Sequence, residues 1–430
     1  MKPFPTEASL DSTLALARDP YRYISRRCDK HGSDAFETRL LLQRVICLRG
    51  EEAAKLFYDT SRFSRSGVAP SRIAKTLFGR GGVQGMDGEA HRHRKMMFMS
   101  LLTEDKIAGL TELARDNWKR RILTWSSMDR IVLYRQAQEV LTESVCQWAG
   151  VPLKPSQVDR RTSELTALFD YAGNVGPKHW WARLACKRNE AWLRALVEQI
   201  RDGAYKPPEN TAAFIVANYR DLEGKLLNPQ IAAVELNNIL RPTVAVSVYI
   251  IQCAHALHEQ PDLRDRLRRG SPEDFHCFVQ EVRRFYPFFP FAGAKVKEAF
   301  EWRGYQFPAG RKVLLDLYGT NHDSRLWSRP ENFDDERFRA WEGNPFTLIP
   351  QGGGDHYENH RCPGEWIAIE QMKVAVDTLV NHCQYEVPEQ ALQIDMDRLP
   401  AIPKSKFIIQ DVRVATPASD APTEGQEANE

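Results

Sequence analysis

Residues 229–258 constrain the fold of this chain more than any other segment. They read as one long apolar helix, and Pro242 to His258 is the longest uncharged stretch near a helix pattern. The run is broken by polar residues and is too short for the roughly 20 apolar residues that span a bilayer comfortably. It is therefore expected as a buried central helix rather than a transmembrane segment. Pro242 inside it has no N–H and clashes with the preceding turn, so a kink is expected there. Arg241 stands at that kink. An unpaired guanidinium in an apolar helix is costly and cannot shed its proton, so it needs an anion. Two candidates stay open from the pattern: an internal Asp or Glu, or a substrate carboxylate in a bidentate pair.

The surrounding chain has the length and composition to bury such a helix. Its 430 residues contain 59 Lys plus Arg and 57 Asp plus Glu, a net charge of +2, which argues against nucleic-acid binding through bulk basicity. The eight cysteines are scattered, with no CxxC pair, as in a reduced cytoplasmic protein. The N-terminus lacks a signal-peptide apolar core. Helices dominate, with small sheets near both ends, a mainly α arrangement in the α+β class. Strands are expected at Phe36 to Leu42, Arg44 to Leu48, Phe300 to Tyr305, Arg311 to Leu317 and Lys406 to Ile409. Helices are expected at Glu51 to Tyr58, through most of residues 103–202, at 271–286 behind the cap Ser271-Pro272, and at about Gly364 to His382. Residues 1–413 read as one domain. Residues 414–430, acidic and poor in apolar groups, read as a disordered tail.

One cysteine has unusual company, in Pro350-Gln351-Gly352-Gly353-Gly354-Asp355-His356-Tyr357-Glu358-Asn359-His360-Arg361-Cys362-Pro363-Gly364-Glu365. A Gly-rich loop lets backbone approach a flat partner. Cys362 precedes a helix start, where N–H groups and the dipole favour a thiolate, and His360 and Arg361 add positive character. These residues alone leave three readings: a structural loop with a buried Cys, a zinc site from His356, His360 and Cys362, or a thiolate on haem iron.

Two further segments accompany the loop. Glu281 and Arg284 lie three apart on one helix and share a face, and Arg337 follows in Glu336-Arg337-Phe338. In this order with the Cys loop, they resemble the cytochrome P-450 family, from around Leu10 to around Val412. The resemblance implies that family's fold, a single large helical domain with haem b (iron protoporphyrin IX) buried beside the central helix. It also implies Cys362 as the axial iron ligand and Glu281, Arg284 and Arg337 as a buried charge triad. In Asp87-Gly88-Glu89-Ala90-His91-Arg92-His93-Arg94-Lys95, His91 and Lys95 are one turn apart and match groups that meet a haem propionate. Arg361 belongs to the same cofactor-binding set.

The chain departs from the family's common pattern in two places. Extra residues separate Gly352–Asp355 from Cys362. The acid and Thr of oxygen-activating members are replaced by Asn237-Asn238-Ile239-Leu240-Arg241-Pro242. Both features resemble the bacterial fatty-acid peroxygenases. That branch implies hydrogen peroxide as oxidant, a long-chain fatty acid as substrate and no obligatory reductase. Arg241, with Pro242 behind it, would hold the substrate carboxylate, which replaces the missing acid and Thr as proton shuttle. Phe78, Phe288 and Phe289 would meet the tail. Gln84 aligns with a distal position where alkene-forming members often carry His, so hydroxylation at the α (or β) carbon is expected, with minor decarboxylation. The alternatives are a conventional monooxygenase fed by external reductases, or a non-catalytic haem or lipid carrier.

Overall fold

The structure is a computed structural model and describes residues 2–415. The central helix forms where the apolar run predicts it. Asn228 caps it by accepting from Gln230 N at 2.8 Å, and Pro229 occupies the first turn, where a missing N–H costs nothing. It runs Pro229–Ala245 and resumes as Ser247–Glu259. The helix is interrupted at Val246 rather than at Pro242, one turn later. There Val246 N bonds to Thr243 O at 3.2 Å, three residues back, which tightens the turn. This is also the only helix among the described residues long and apolar enough to cross a membrane, and 89% of its most apolar window is buried inside the protein. A helix apolar on every side belongs inside a large core.

Residues 103–202 fold mainly as Glu104–Trp125, Leu133–Trp148, Val158–Asp170 and Pro177–Arg201; the last three pack on the central helix, and the first packs on Leu133–Trp148. The helix Pro272–Phe285 carries the expected cap. Ser271 and Asp274 bond each other's backbone N–H groups, and Pro272 fills the first turn. Near the C-terminus, Glu365–Asp377 continues as one wide turn, Thr378–His382.

Beside the bundle lies a five-stranded sheet ordered Ala35–Leu40, Gln43–Leu48, Lys312–Asp316, Phe291–Val296, Phe63–Ser64. Only the pairing of Gln43–Leu48 with Lys312–Asp316 is parallel. The first strand stops at Leu40, short of the expected Leu42. Leu41 and Leu42 form the turn with φ of 50° and 61°. Asp11 and Thr13 hold it, accepting from Leu42 N at 2.6 Å and Leu41 N at 2.7 Å. The expected strand from Phe300 to Tyr305 is instead a hairpin, Phe300–Trp302 with Tyr305–Phe307, turning at Arg303-Gly304. The last strand begins at Ile408, because Lys406 and Phe407 adopt positive φ, and it runs to Val414, which pairs with Cys383. The expected domain end at residue 413 thus falls one residue inside that strand. Residues 416–430 of the expected acidic tail lie outside the described residues.

Candidate active site

The Cys362 loop is anchored from all sides by its own chain. Cys362 N donates to Gln351 O at 3.1 Å, and Gly354 N donates to Pro345 O at 3.0 Å. The extra residues close on themselves. Asp355 Oδ1 accepts from Tyr357 N (2.7 Å) and Glu358 N (2.9 Å), while Asn359 Oδ1 accepts from Asp355 N (2.7 Å). The glycines serve this packing. A Cβ on Gly353 would sit 2.6 Å from Pro345 O, and one on Gly352, at φ 93°, would sit 3.1 Å from the Tyr58 hydroxyl.

The sulfur feels burial as well as the helix start and basic neighbours. Burial pushes the Cys362 thiol up; the adjacent Glu365 adds to this, and Gly364 N–H, Lys95 and Arg283 oppose it. Helix start and basic neighbours thus favour the thiolate against burial, and a metal ion bound at the sulfur would favour it further. Gln351 Nε2 points at the sulfur from 3.9 Å, and its Oε1 accepts from Arg283 Nε at 3.1 Å.

Behind the loop sits a carboxylate hub that the sequence reading missed. Glu365 accepts from Arg361 Nε (2.7 Å), His356 (3.0 Å) and Arg283. Burial opposes its ionisation, yet Arg283, His356 and Arg361 together hold its carboxyl well below the usual range. Arg361, expected on the cofactor, is thus turned to Glu365, with a further bond to Gly354 O at 3.2 Å. Lys95, expected at a propionate, donates to the carbonyls of Asn359 and Arg361, the latter at 2.9 Å. It closes the loop against helix Gly88–Met99. Its ammonium has one donor left, and burial lowers its pKa to about 8.

His91 lies where a cofactor edge could reach it. It is stacked on His360 at 3.9 Å, and burial, with Lys95 next, lowers it to about 4. Arg65 is close enough to depress both imidazoles. Burial, and then Arg65, His91 and Lys95, also lower His360, while His356 is stacked on Trp366. Among the described residues no three His, Cys, Asp or Glu side chains could hold a metal ion, so the zinc reading loses its ligand set.

Glu281, Arg284 and Arg337 come together. Glu281 takes a bidentate pair from Arg284 (2.6 and 2.7 Å) and lies 3.3 Å from Arg337 Nε, an ionic contact without hydrogen-bond alignment. Asp334 N adds a third donor at 2.9 Å, and the remaining arginine N–H groups reach the carbonyls of Asn321, Pro330, Asn332 and Ser328.

Arg241 contrasts with all of these. It is 5% exposed, Nη1 has no hydrogen-bond partner, and no carboxylate among the described residues pairs with it. Burial depresses it to about 10, with the nearby Cys186, Cys362 and Glu235 pulling the other way. Glu235, the one acid in the segment Pro229–Ala245, is already taken. Arg94 reaches it at 2.7 Å and Asn238 at 3.0 Å. Asn238 also donates to Phe78 O (3.1 Å) and Gln84 Oε1 (3.3 Å), which ties Gln84 to the central helix. Phe288 stacks on Tyr249 at 4.5 Å, Phe78 is half-buried, and Phe289 is 40% exposed, so the three do not form one lining.

The donor set fits an iron porphyrin. It offers one half-buried sulfur, a basic cluster of Arg65, Lys95 and His91 beside it, and on the central helix an unmatched guanidinium whose charge senses that sulfur. A cytochrome P-450 family model matches residues 276–410, which include both the triad and the Cys loop. Cytochrome P-450SP alpha (CYP152B1) in complex with (R)-ibuprophen is 51% identical, superposes with a TM-score of 0.93, and the match covers 94% of this chain and 100% of that one. The chain is a member of the cytochrome P-450 family. Two other P-450 structures are similar. P-450EX alpha (CYP152N1) with myristic acid is 44% identical over 96% of this chain and 100% of that one, with a TM-score of 0.93. A variant of P-450 OleT in complex with arachidonic acid is 35% identical over 97% of this chain and 100% of that one, with a TM-score of 0.94. Among curated P-450 relatives, cytochrome P-450 71D180 of Thymus vulgaris is 30% identical over 151 residues, 32% of this chain and 30% of that protein. Cytochrome P-450 138 of Mycobacterium tuberculosis is 21% identical over 397 residues, 88% of each chain.

Proposed function

We propose that this P-450 is a hydrogen-peroxide-dependent fatty-acid peroxygenase that hydroxylates a long-chain fatty acid at its α (or β) carbon, with minor decarboxylation to a terminal alkene. The observation that carries the reading is the orphan guanidinium of Arg241. A buried charge without a partner is destabilising by several kcal/mol, so its retention points to an anion that arrives from outside. A fatty-acid carboxylate supplies that anion in a bidentate pair. The similar structures with myristic and arachidonic acid support this substrate class.

Cys362 would hold the haem iron, and His91, Lys95 and Arg65 would face its carboxylates; Arg361 would act through Glu365 on the loop. Bound there, haem with a thiolate ligand supplies the oxidising chemistry. The chain's own part is positioning and proton transfer. Arg241 fixes the substrate carboxylate, which takes a proton from one peroxide oxygen and returns it to the leaving oxygen. This replaces the acid and Thr that the sequence lacks, and it removes the need for a reductase. Anchoring at the carboxylate keeps the α and β carbons nearest the reacting centre. Pro242 removes one backbone N–H next to Arg241. Gln84 is a neutral amide that does not titrate near pH 7, which favours hydroxylation over alkene formation. Phe78 and Phe288 are the apolar groups on hand for the acyl chain, with Phe289 toward solvent.

Purified holoprotein incubated with myristic acid and peroxide, without reductase, is expected to yield 2- or 3-hydroxymyristate by mass spectrometry. Turnover that appears only when a ferredoxin and its reductase are added would replace this reading with a conventional monooxygenase.

A further inference from the structure

The outward face of helix Pro177–Arg201 differs from ordinary protein surface. Trp180 is 69% exposed, Val175 just before the helix 73%, and Leu184 and Trp181 are also open to solvent. Trp180, Trp181 and Leu184 fall at i, i+1 and i+4, on one stripe. The opposite side of the same turns buries Ala182, Ala185 and Cys186. Single exposed apolar groups are common, but adjacent tryptophans with a leucine and a valine form a patch.

The segment that carries this patch and the one beside it hold charges of one sign. From Tyr171 to Asn189 there is no Asp or Glu, and four basic residues. Ser61 to Met86 likewise contains no acid and five basic residues. The two segments touch. Helix Ser71–Leu77 lies against the start of helix Pro177–Arg201, with Arg183 donating to Lys75 O at 2.6 Å and Cys186 Sγ 3.4 Å from the same oxygen. Of the nine cations, only Arg62 and Arg188 reach a carboxylate among the described residues, at 3.0 Å (Asp59) and 3.8 Å (Glu164). Arg72, Arg80, Lys178 and Lys187 are exposed and keep their charge for a partner.

Indole rings standing out of a field of uncompensated Lys and Arg match the chemistry of a lipid headgroup layer. Trp favours that depth, and anionic headgroups attract the surrounding cations. We propose that this face docks the enzyme on an anionic phospholipid surface. The inner sides of the same two elements reach the candidate site. Phe78, at the end of helix Ser71–Leu77, accepts from Asn238, three residues before Arg241, and Cys186 lies near enough to Arg241 for its charge to be felt. A protein held by this face would therefore keep the approach to Arg241 against the source of acyl chains. That last step rests on the fatty-acid reading above; the docking itself rests on the surface alone.

The test uses full-length holoprotein and co-sedimentation with vesicles of phosphatidylcholine alone or mixed with phosphatidylglycerol. Binding is expected only to the mixed vesicles, with tryptophan fluorescence quenched by brominated acyl chains. Trp180→Ser/Trp181→Ser should abolish the quenching. Arg72→Glu/Lys178→Glu/Lys187→Glu should weaken binding by at least about tenfold, given the attraction of each cation near such a surface. Circular dichroism and the reduced carbon monoxide spectrum should be unchanged in both variants, which excludes misfolding. Wild-type protein that ignores mixed vesicles, binds both kinds equally, or is matched by either variant would overturn the proposal. Because binding is read without turnover, it fails separately from the peroxygenase reading. With turnover, both variants should match wild type on monomeric fatty acid and lag only on vesicle-borne fatty acid.

Discussion

Two helices in this protein each bury arginine, and they treat it in opposite ways. On Pro272–Phe285, Arg283 and Arg284 are fully buried, and their charges meet the carboxylates of Glu365 and Glu281 with carbonyls around them. On the central helix Arg241 is nearly as buried, yet no carboxylate meets it and Nη1 bonds to nothing. Such pairing marks a group whose function is structural, since its charge is already met within the fold. An unmatched guanidinium marks a group completed by something else.

Substitution at the two regions should separate these roles. Arg241→Met is expected to lower peroxide-dependent fatty-acid oxidation by roughly three orders of magnitude, the loss of about 4 kcal/mol for a buried bidentate pair. Thermal stability without substrate should hold or rise, because an uncompensated charge is gone. A clear drop in Tm for the substrate-free protein would mean that Arg241 is structural after all. Glu281→Gln should do the reverse. It leaves Arg284 and Arg337 facing a neutral group in the interior, at a cost of about 3–5 kcal/mol. Chemical denaturation should register that loss, and any protein that still folds and holds haem should keep its regioselectivity.

The saturated region should also carry an acid weakness. His322 lies beside Arg284 with Nδ1 bonded to Tyr318 O at 2.9 Å and Nε2 unpaired. Burial, and then Arg284, lower it to about 3 from an ordinary 6.5. Its folded pKa lies below the unfolded one, so its contribution is complete above pH 6.5 and is lost as pH falls from 6.5 toward 3. His322→Phe should flatten the decline of Tm across that window; an unchanged acid limb would place the weakness elsewhere. The smallest effect is expected at the edge of the unsaturated site. Gln84→Ala removes one acceptor from Asn238, worth about 1 kcal/mol, so turnover should fall less than tenfold. Gln84→His should raise the alkene fraction seen by mass spectrometry; a product ratio that does not move would detach Gln84 from the chemistry.

Much of this contrast was legible in residue order. Glu281, Arg284 and Arg337 were paired from spacing and resemblance, and Arg241 stood out because it alone carries a full charge at the expected kink. The Glu365 hub was not legible. Its partners Arg283, His356 and Arg361 lie on a helix and a loop that only folding brings together, and Glu365 by itself looks like an ordinary first-turn acid. The same limit explains the turns. Leu41-Leu42 carries no turn signal, because the positive φ values are imposed by Asp11 and Thr13 from a distant segment. The environment of the Cys362 thiol was only partly legible for a related reason. Local sequence reveals helix start and basic neighbours, whereas burial, which dominates, is a property of the whole fold.

The sequence by itself determined the buried central helix, because apolar periodicity is a local record of which face meets the core. It also determined which residue types stand beside Cys362. Tertiary structure alone decided which of those charges are spent. Lys95 and Arg361 close the Cys loop, Glu235 is consumed by Arg94, and Arg241 is left over. Pairing at a few ångströms depends on three-dimensional distance, and Lys95 with Arg361 and Arg94 with Glu235 join segments that residue order keeps far apart.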